Sequence, residues 1–428
     1  MTATAAREAA SSSLATRLVA LLMLVTSAGY VCRVAVTVVA PGIMRDFGLT
    51  QAQMGTIFSA FLVGYTLCQV PAGGLADRVG ARRIFLALCL GWSVLTVLTA
   101  AVGRDGFGLA LALPELWLIR ALFGIIAAPT YPTAARTLAA TVSPRFQARA
   151  NSLVLASVGV GSALTPMLLA PVSLHHGWRI ALLVPAALAL LAGLFWFRFA
   201  PTPHAVSRPS QIPAPANGPA SSSAPPLRSP SFWFLFASYF LQGYLGYIFV
   251  FWFYLYLVQV RHFELLKAAT FTALPWAATV VAIPIGGIIS DLAVMHWGAT
   301  WGRRSVPLVA LGMAAIFLVI GARTPSAFVA VAALTGCTVL VMCTEGPFWA
   351  SMTQLSGKHS GVAGGTMNFG SNLGGMISPA LTPWLAERVG WEAALTATAF
   401  LGLLAALLWL GVRIDSTEDA MRSIQEIP

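Results

Sequence analysis

The sequence has very few charged residues. Only 9% of its 428 residues are Asp, Glu, Lys or Arg, and 58% are hydrophobic, whereas soluble globular proteins carry about 25% charged residues. This composition argues against the two or three soluble domains that the length alone suggests. Apolar runs of about 20 residues, each with few charges, instead predict a polytopic membrane protein. The lipid bilayer is therefore its expected environment.

The sequence also lacks the residue patterns of several common sites. All five cysteines lie in apolar runs, so disulfides are not expected, and the cysteines show no zinc-ligand spacing. No nucleophile–base set is visible, so we expect no enzyme activity, no cofactor and no metal. The net charge of +11 does not indicate a nucleic-acid partner, because the Lys and Arg residues are spread over short loops and form no basic face.

Twelve apolar runs predict transmembrane helices, since a helix satisfies its own backbone polar groups in lipid. Between the sixth and seventh runs, residues 200–230 are rich in Pro, Ser and Ala, which predicts a flexible cytoplasmic linker. We therefore predict an all-α membrane protein with six-helix domains at 1–199 and 231–428. The approximate spans are 15–40, 51–76, 84–102, 112–140, 147–172, 178–199, 231–259, 266–290, 305–322, 326–354, 361–386 and 392–412.

The two halves resemble each other in sequence. Pro71 and Pro284 are 213 residues apart, and the same offset relates Pro166 to Pro379. One offset shared by several landmarks indicates two pseudo-symmetric six-helix repeats. Such repeats place a substrate site near the middle of the membrane, between the two halves.

The loop charges predict the orientation. With both termini in the cytoplasm, the cytoplasmic loops hold about twice as many Lys and Arg residues as the opposite loops, which agrees with the positive-inside rule. Arg is far commoner than Lys in the sequence, which suggests a GC-rich bacterial genome. We expect a multi-pass monomer in a bacterial inner membrane, with both termini cytoplasmic.

Three charged residues lie well inside the predicted spans: Arg33, Arg120 and Glu345. Ionisable groups are costly at this depth and mark functional sites. A guanidinium binds a carboxylate or phosphate bidentately, so a cavity that holds the two arginines would attract a small organic anion. The alternatives are structural: Arg33 pairs with Glu345 or with backbone carbonyls, and Arg120 serves the nearby Glu115 or the membrane surface.

The loop after the second span, GGLADRVGARR at 73–83, has an echo in GGIISDLAVMHWGATWGRR at 286–304. An acid at the end of a helix can pair with the arginines that follow it, which predicts a clasp that closes the cytoplasmic side in one state. The alternative is a loop whose arginines only fix topology. The gating candidates are Asp77, Arg78, Arg82, Arg83 and, in the second half, Asp291 with Arg303 and Arg304.

These loops resemble the signature loops of the major facilitator superfamily. More narrowly, the chain resembles the anion:cation symporter family, which includes bacterial sugar-acid transporters and vesicular organic-anion carriers. This resemblance implies a major facilitator fold and transport of a carboxylate, such as a sugar acid or an aromatic acid, by alternating access. It is carried by YVCRVAVTVVAPGI, SAFLVGYTLCQVPAGGLADRVGARR, RALFGIIAAPTYPTAARTLAA, TALPWAATVVAIPIGGIISD and GPFWASMTQLSGKHSGVAGGTMNFGSNLGGMISP.

The resemblance also implies substrate-binding residues. In the family, the arginine that matches Arg33 contacts the substrate carboxylate, and the one that matches Arg120 lies by the cavity. Tyr30 precedes Arg33 by one helical turn, so both can face the same way. For the other candidates the alternatives are aromatic packing and interhelical hydrogen bonding. The remaining substrate-binding candidates are Tyr65, Trp349 and Asn368.

Proton coupling is left open by the sequence. The resemblance implies an Asp before the first-span arginine and a Glu in the fourth span of proton-coupled members, whereas this chain has Cys32 and Ala127 at those places. A thiol in an apolar site stays neutral. The substrate therefore moves without protons, or Glu345, the only acid well inside a span, carries the proton. Alternatively, Glu345 is a permanent structural partner of an arginine.

Three alternatives to coupled transport are compatible with the sequence. The first is an uncoupled facilitator or exchanger of organic anions or phosphate esters, although the seventh span lacks an arginine for a phosphate. The second is a multidrug efflux carrier, which Arg33 and the scarcity of intramembrane acids disfavour for cationic drugs. The third is a receptor that binds an anion without moving it.

Overall fold

The computed structural model describes residues 3–103, 111–142, 144–200, 229–356 and 360–414, and no strand occurs in these ranges. Side chains are described there except at 3–13, 70–78, 139, 144–149, 151–152 and 360–362. The helices are α1 (Ala3–Phe47), α2 (Gln51–Val79), α3 (Ala81–Ala101), α4 (Ala112–Ala127), α5 (Thr130–Thr141), α6 (Pro144–His176), α7 (Trp178–Phe199), α8 (Pro230–Gln259), α9 (Leu265–Arg323), α10 (Ala327–Cys343), α11 (Glu345–Ser356), α12 (Ser360–Val389) and α13 (Trp391–Leu408), followed by a 3-10 turn at Trp409–Gly411.

Every predicted span falls on these helices. In the described part of the chain, nine helical segments are long and apolar enough to cross a membrane. Large apolar side chains such as Leu67, Leu191 and Phe400 are exposed on the helix surfaces, as expected for faces that contact lipid. The prediction of an all-α membrane protein is therefore confirmed.

The helix boundaries differ from the predicted spans at three backbone breaks. The fourth span divides at Pro129 into α4 and α5, because proline lacks the N–H that continues the helical ladder. The tenth span divides at Thr344 into α10 and α11. Conversely, the eighth and ninth spans form one segment, α9, interrupted by Gly298 at φ 75°, a conformation that favours glycine.

The helices form two compact units. The first comprises Met1–Ile212 together with Tyr254–Trp276, and the second comprises Pro213–Phe253 together with Ala277–Pro428. Most of the predicted linker lies outside the described residues. The boundaries at 199 and 231 therefore stay predictions.

Close helix packing in the first unit fixes the elements around the middle of α1. α2 and α4 meet backbone to backbone, since a Cβ at Gly64 would overlap the Ala121 carbonyl oxygen and one at Gly124 would overlap the Phe61 carbonyl oxygen. The Thr26 and Ser157 hydroxyls share a hydrogen bond of 2.5 Å between α1 and α6. These contacts set the positions of the residues that flank Arg33.

In each unit an arginine caps the end of the last helix. Arg82, at the start of α3, donates from Nε and Nη2 to the Phe197 carbonyl of α7, at 2.9 Å and 2.6 Å. In the second unit Arg304 Nε donates to the Val412 carbonyl, just beyond the 3-10 turn, at 2.6 Å. Basic side chains commonly satisfy the last carbonyls of a helix in this way. The repeat seen in the sequence thus recurs as a repeated helix cap.

We expect Arg82→Gln to lower the free energy of unfolding by about 1 kcal/mol, because it removes charge-assisted hydrogen bonds from the end of α7. Arg83→Gln is the matched control: Arg83 is exposed and has no hydrogen bond or ion pair with another described residue. Thermal unfolding of the purified variants measures the difference. Equal stabilities of the two variants would contradict the capping role of Arg82. A transport defect in Arg83→Gln without loss of stability would support the predicted gating role of Arg83.

Candidate functional site

A small, open cavity lies in the first unit beside the middle of α1. Its lining includes Tyr30, Arg33 and Tyr65, three of the predicted substrate-binding residues. Arg33 is the only charged residue among the described lining residues, none of which is an acid. Half of the remaining lining residues are aromatic, namely Phe61, Trp92, Phe123 and Tyr131, and the others are Thr26, Gly29, Ala127 and Thr130. A cavity with one buried cation and apolar walls attracts anions.

Aromatic rings hold the Arg33 side chain. Its guanidinium carbon lies 4.3 Å from the centroid of the Phe61 ring and 5.1 Å from that of Tyr30. Nη1 also donates a hydrogen bond of 3.0 Å to the Tyr30 hydroxyl, so both residues face the same side of α1, as predicted. Only 7% of Arg33 is exposed. The planar guanidinium is thereby fixed by cation–π contacts at the cavity wall.

Arg120 lies behind this wall and is not among the lining residues. It is 1% exposed, and its Nη2 donates a 3.0 Å hydrogen bond to the backbone carbonyl of Arg33. Its guanidinium carbon is 5.0 Å from the Phe123 ring centroid and 5.5 Å from that of Phe61. Arg120 therefore holds the backbone of α1 at Arg33 and adds positive charge nearby. Its predicted contact with an anion stays a prediction.

Cys32 and Ala127, at the two positions where the family resemblance implies acids, face different surroundings. Cys32 is fully buried, and its Sγ donates to the Pro185 carbonyl of α7 at 3.2 Å. Ala127 presents its methyl group to the cavity. Neither residue can accept a proton at physiological pH, so the first unit offers no carboxylate at either place.

Polar side chains in the second unit cluster around Glu345. Its Oε2 accepts a hydrogen bond of 2.9 Å from the Tyr239 hydroxyl, and its Oε1 accepts one of 2.8 Å from Gln242 Nε2. Both partners are neutral and lie one turn apart on α8. Within this unit the carboxylate is therefore held by neutral donors, whereas the sequence had suggested an arginine as one alternative.

The other predicted residues of the second unit lie on α11 and α12. Trp349 is 40% exposed, and its ring meets that of Tyr239 edge-on, with centroids 6.5 Å apart. A Cβ at Gly364 would lie 3.3 Å from the Trp349 ring, and Asn368 follows Gly364 by one helical turn on α12. The two candidates are therefore near each other, and their contact with substrate stays a prediction.

The structure describes part of the predicted gating set. Asp291 Oδ1 pairs with Arg303 Nη1 at 2.6 Å, and Gln354 of α11 also contacts Arg303. Arg304 does not take part in this pair, since it caps the chain at Val412. The side chains of Asp77 and Arg78 lie outside the described residues. Gating by these residues stays a prediction.

Sequence reasoning missed several residues of both sites. Tyr239 and Gln242 were not identified, although a tyrosine and a glutamine three residues apart interrupt the seventh apolar run. Phe61 and Tyr131 carried no such signal, because aromatic residues are common throughout the spans. Only the packing of α2 and α5 against α1 shows that these rings line the cavity.

Membrane-spanning helices in two units, with an arginine in the middle of α1, are features of membrane transporters. The sequence matches the profile of the Major Facilitator Superfamily over residues 21–364 and 292–426, and the chain belongs to this superfamily. The predictions of the family, of the fold class and of a transporter rather than an enzyme are confirmed.

Several curated relatives carry the names of organic-acid transporters. A probable sulfoacetate transporter of Cupriavidus necator is 30% identical, over 84% of this chain and 85% of that protein. A D-galactonate transporter of Escherichia coli is 28% identical, over 89% of this chain and 92% of that protein. A probable galactarate/D-glucarate transporter of Bacillus subtilis is 26% identical, over 92% and 91%.

Solved structures share the fold. A bacterial homolog of the human lysosomal transporter Spinster, in an inward-facing and occupied conformation, gives a TM-score of 0.76 at 19% identity, over 94% of this chain and 97% of that chain. A D-xylose-proton symporter gives a TM-score of 0.70 at 14% identity, over 94% and 98%. At these identities the likeness shows the fold alone.

Proposed function

We propose that this multi-pass protein carries a small organic anion across a bacterial inner membrane by alternating access, with both termini in the cytoplasm. Arg33 anchors the anion, with Tyr30 and Tyr65 beside it. Arg120 positions the backbone at Arg33. Trp349 and Asn368 are the proposed substrate-binding residues of the second unit.

The observation that carries this proposal is the Arg33 guanidinium in a cavity without a lining acid among the described residues. A buried charge is retained at such a place when its binding partner compensates for desolvation. A hydroxyl and two rings orient the guanidinium at the cavity wall. An anion that enters the cavity can bind to this oriented guanidinium.

The names of the relatives indicate a substrate class. Sulfoacetate, D-galactonate and D-glucarate differ in their bodies, but each carries a carboxylate, and a guanidinium fork binds a carboxylate through two parallel hydrogen bonds. The aromatic walls beside Arg33 suit a small or planar body. We propose carboxylates as the class.

We expect at least one of these anions to stabilise the purified protein against heat. A ligand at 100 times its Kd adds about 2.7 kcal/mol to the free energy of unfolding. Thermal unfolding is measured with sulfoacetate, D-galactonate and D-glucarate, and the uncharged polyol galactitol serves as control. Uptake of the stabilising anion into proteoliposomes then tests transport. Stabilisation by galactitol alone, or no stabilisation and no uptake by any anion, would contradict the proposal.

A further inference from the structure

The break in the tenth span places a carboxylate inside the second unit. α10 ends at Cys343, and Glu345 is the first residue of α11. At the break the Thr344 hydroxyl donates to the Val341 carbonyl at 2.6 Å. A carboxylate at the first position of a helix is favoured by the helix dipole. The break in the backbone therefore fixes the position of Glu345 at the start of α11.

The hydrogen bonds of Glu345 suit both of its protonation states. A charged carboxylate only accepts hydrogen bonds, and here one donor reaches each oxygen, Tyr239 at 2.9 Å and Gln242 at 2.8 Å. A neutral carboxyl group must also donate one. The Tyr239 hydroxyl can accept it by rotating its hydrogen, and the Gln242 amide can accept it through its oxygen. An arginine or lysine partner could not, since neither has an acceptor.

The surroundings of Glu345 add no second charge among the described residues. From α8 the only titratable neighbour is Tyr239, and Trp349 faces the carboxylate from its own helix. On the α9 side the contact is made by glycines: a Cβ at Gly346 would lie 2.9 Å from Gly287. α10 contributes the thiol of Cys343 to this region. α12 contacts α11 at Gly364, which lies next to Trp349.

Charged residues elsewhere on these helices have other partners. On α9, Arg303 pairs with Asp291 at 2.6 Å and Arg304 bonds the Val412 carbonyl. On α13, Glu392 pairs with Arg323 at 3.4 Å. Glu345 is half-buried, and the described residues that act on its carboxylate are all neutral: Tyr239, Gln242 and Trp349.

We propose that Glu345 is the proton-binding site of this transporter, with Tyr239 and Gln242 as its positioning residues. The proposal rests on the proposed anion transport. In the first unit, Cys32 and Ala127 occupy the two places where the family resemblance implies acids, so neither place offers a carboxylate. In the cycle the Glu345 carboxylate takes one proton from water on one side, becomes a neutral carboxyl group, and releases that proton on the other side.

Proton binding is tested without substrate by infrared spectroscopy of the purified protein over a pH series. We expect the spectrum of the wild type minus that of Glu345→Gln to contain a titrating carboxyl C=O band, because the other Asp and Glu residues are common to both proteins and cancel, and we expect Glu392→Gln to retain this band. Glu392 is a suitable control because it is an exposed carboxylate in a surface ion pair. Gln at position 345 can keep both hydrogen bonds, so the variant is expected to fold. A difference spectrum without a titrating carboxyl band would overturn the proposal.

Coupling is tested in proteoliposomes with sulfoacetate, whose sulfonate prevents leakage as a neutral acid, or with D-galactonate. The membrane potential is clamped and a pH gradient is imposed. One pH unit supports at most about tenfold accumulation for each proton carried. We expect accumulation in the wild type and in Glu392→Gln. In Glu345→Gln we expect none, while the exchange of labelled for unlabelled substrate continues, since exchange needs no proton release.

Tyr239→Phe distinguishes coupling from folding. It keeps the ring contact with Phe348, whose centroid is 4.7 Å away, and removes only the hydroxyl. We expect its infrared band and its pH optimum for uptake to shift, with exchange retained.

Accumulation driven by pH in Glu345→Gln, or a wild type that exchanges but never accumulates, would overturn the proposal. Absence of both exchange and uptake in the wild type would instead refute the proposed transport, and the infrared result would still decide whether Glu345 binds a proton.

Discussion

Arg33→Lys is expected to weaken anion binding by about 10- to 150-fold, which corresponds to the 1.5–3 kcal/mol of a hydrogen bond to a charged group. Lysine keeps the positive charge, but it is a point charge and cannot present two parallel N–H groups to a carboxylate. It also loses the flat contact with the Phe61 ring, which lies 4.3 Å from the guanidinium carbon. Affinity is measured by calorimetry with the anion that stabilises the wild type most.

Arg261→Lys is the matched control. Arg261 also bonds a tyrosine hydroxyl, Nε to Tyr256 Oη at 2.9 Å, and its guanidinium carbon lies 5.6 Å from that ring. It does not line the cavity. We expect unchanged affinity in this variant, and both variants should unfold at the temperature of the unliganded wild type. Wild-type affinity and transport in Arg33→Lys would show that Arg33 does not anchor the anion.

Much of the fold could be predicted from the sequence, because the bilayer leaves few choices. An apolar run of sufficient length must form a helix in lipid, so every predicted span lies on an observed helix. The backbone breaks could not be located in this way. Hydropathy is insensitive to the break at Thr344, which depends on local backbone bonds, although this break decides where Glu345 sits.

The sequence could predict contacts between site residues that lie on the same helix. Tyr30 and Arg33 are three residues apart on α1, so helical periodicity places them together, and they share a hydrogen bond. The orientation of Arg120 was not predictable, because its partner is the backbone carbonyl of another helix. The partners of Glu345 were missed for the same reason: they come from α8, more than 100 residues earlier in the chain.

Glycine contacts between helices explain how both units hold a charged residue in place. In the first unit a Cβ at Gly64 would overlap the Ala121 carbonyl, next to Arg120. In the second unit a Cβ at Gly286 would overlap the Cys343 carbonyl, just before Glu345. Small residues allow such close approach of helices in membranes. The backbone beside each charged residue is thereby held against a neighbouring helix.

Gly64→Ala is therefore expected to destabilise the protein by about 3 kcal/mol, the upper range for overpacking. The overlapping atom belongs to the backbone, so α2 and α4 must move apart, and this separates Phe61 and Tyr65 from Arg120. Gly312→Ala is the control, because a Cβ there meets no atom within 4 Å and alanine is favoured over glycine in a helix by about 0.5–1 kcal/mol.

Thermal unfolding and anion affinity are measured for both variants. We expect Gly64→Ala to lose stability and affinity together, since the same helix contact supports the fold and the cavity wall. Equal stability in the two variants would mean that α2 and α4 do not meet at Gly64, and loss of stability with full affinity would mean that the cavity is held independently of this contact.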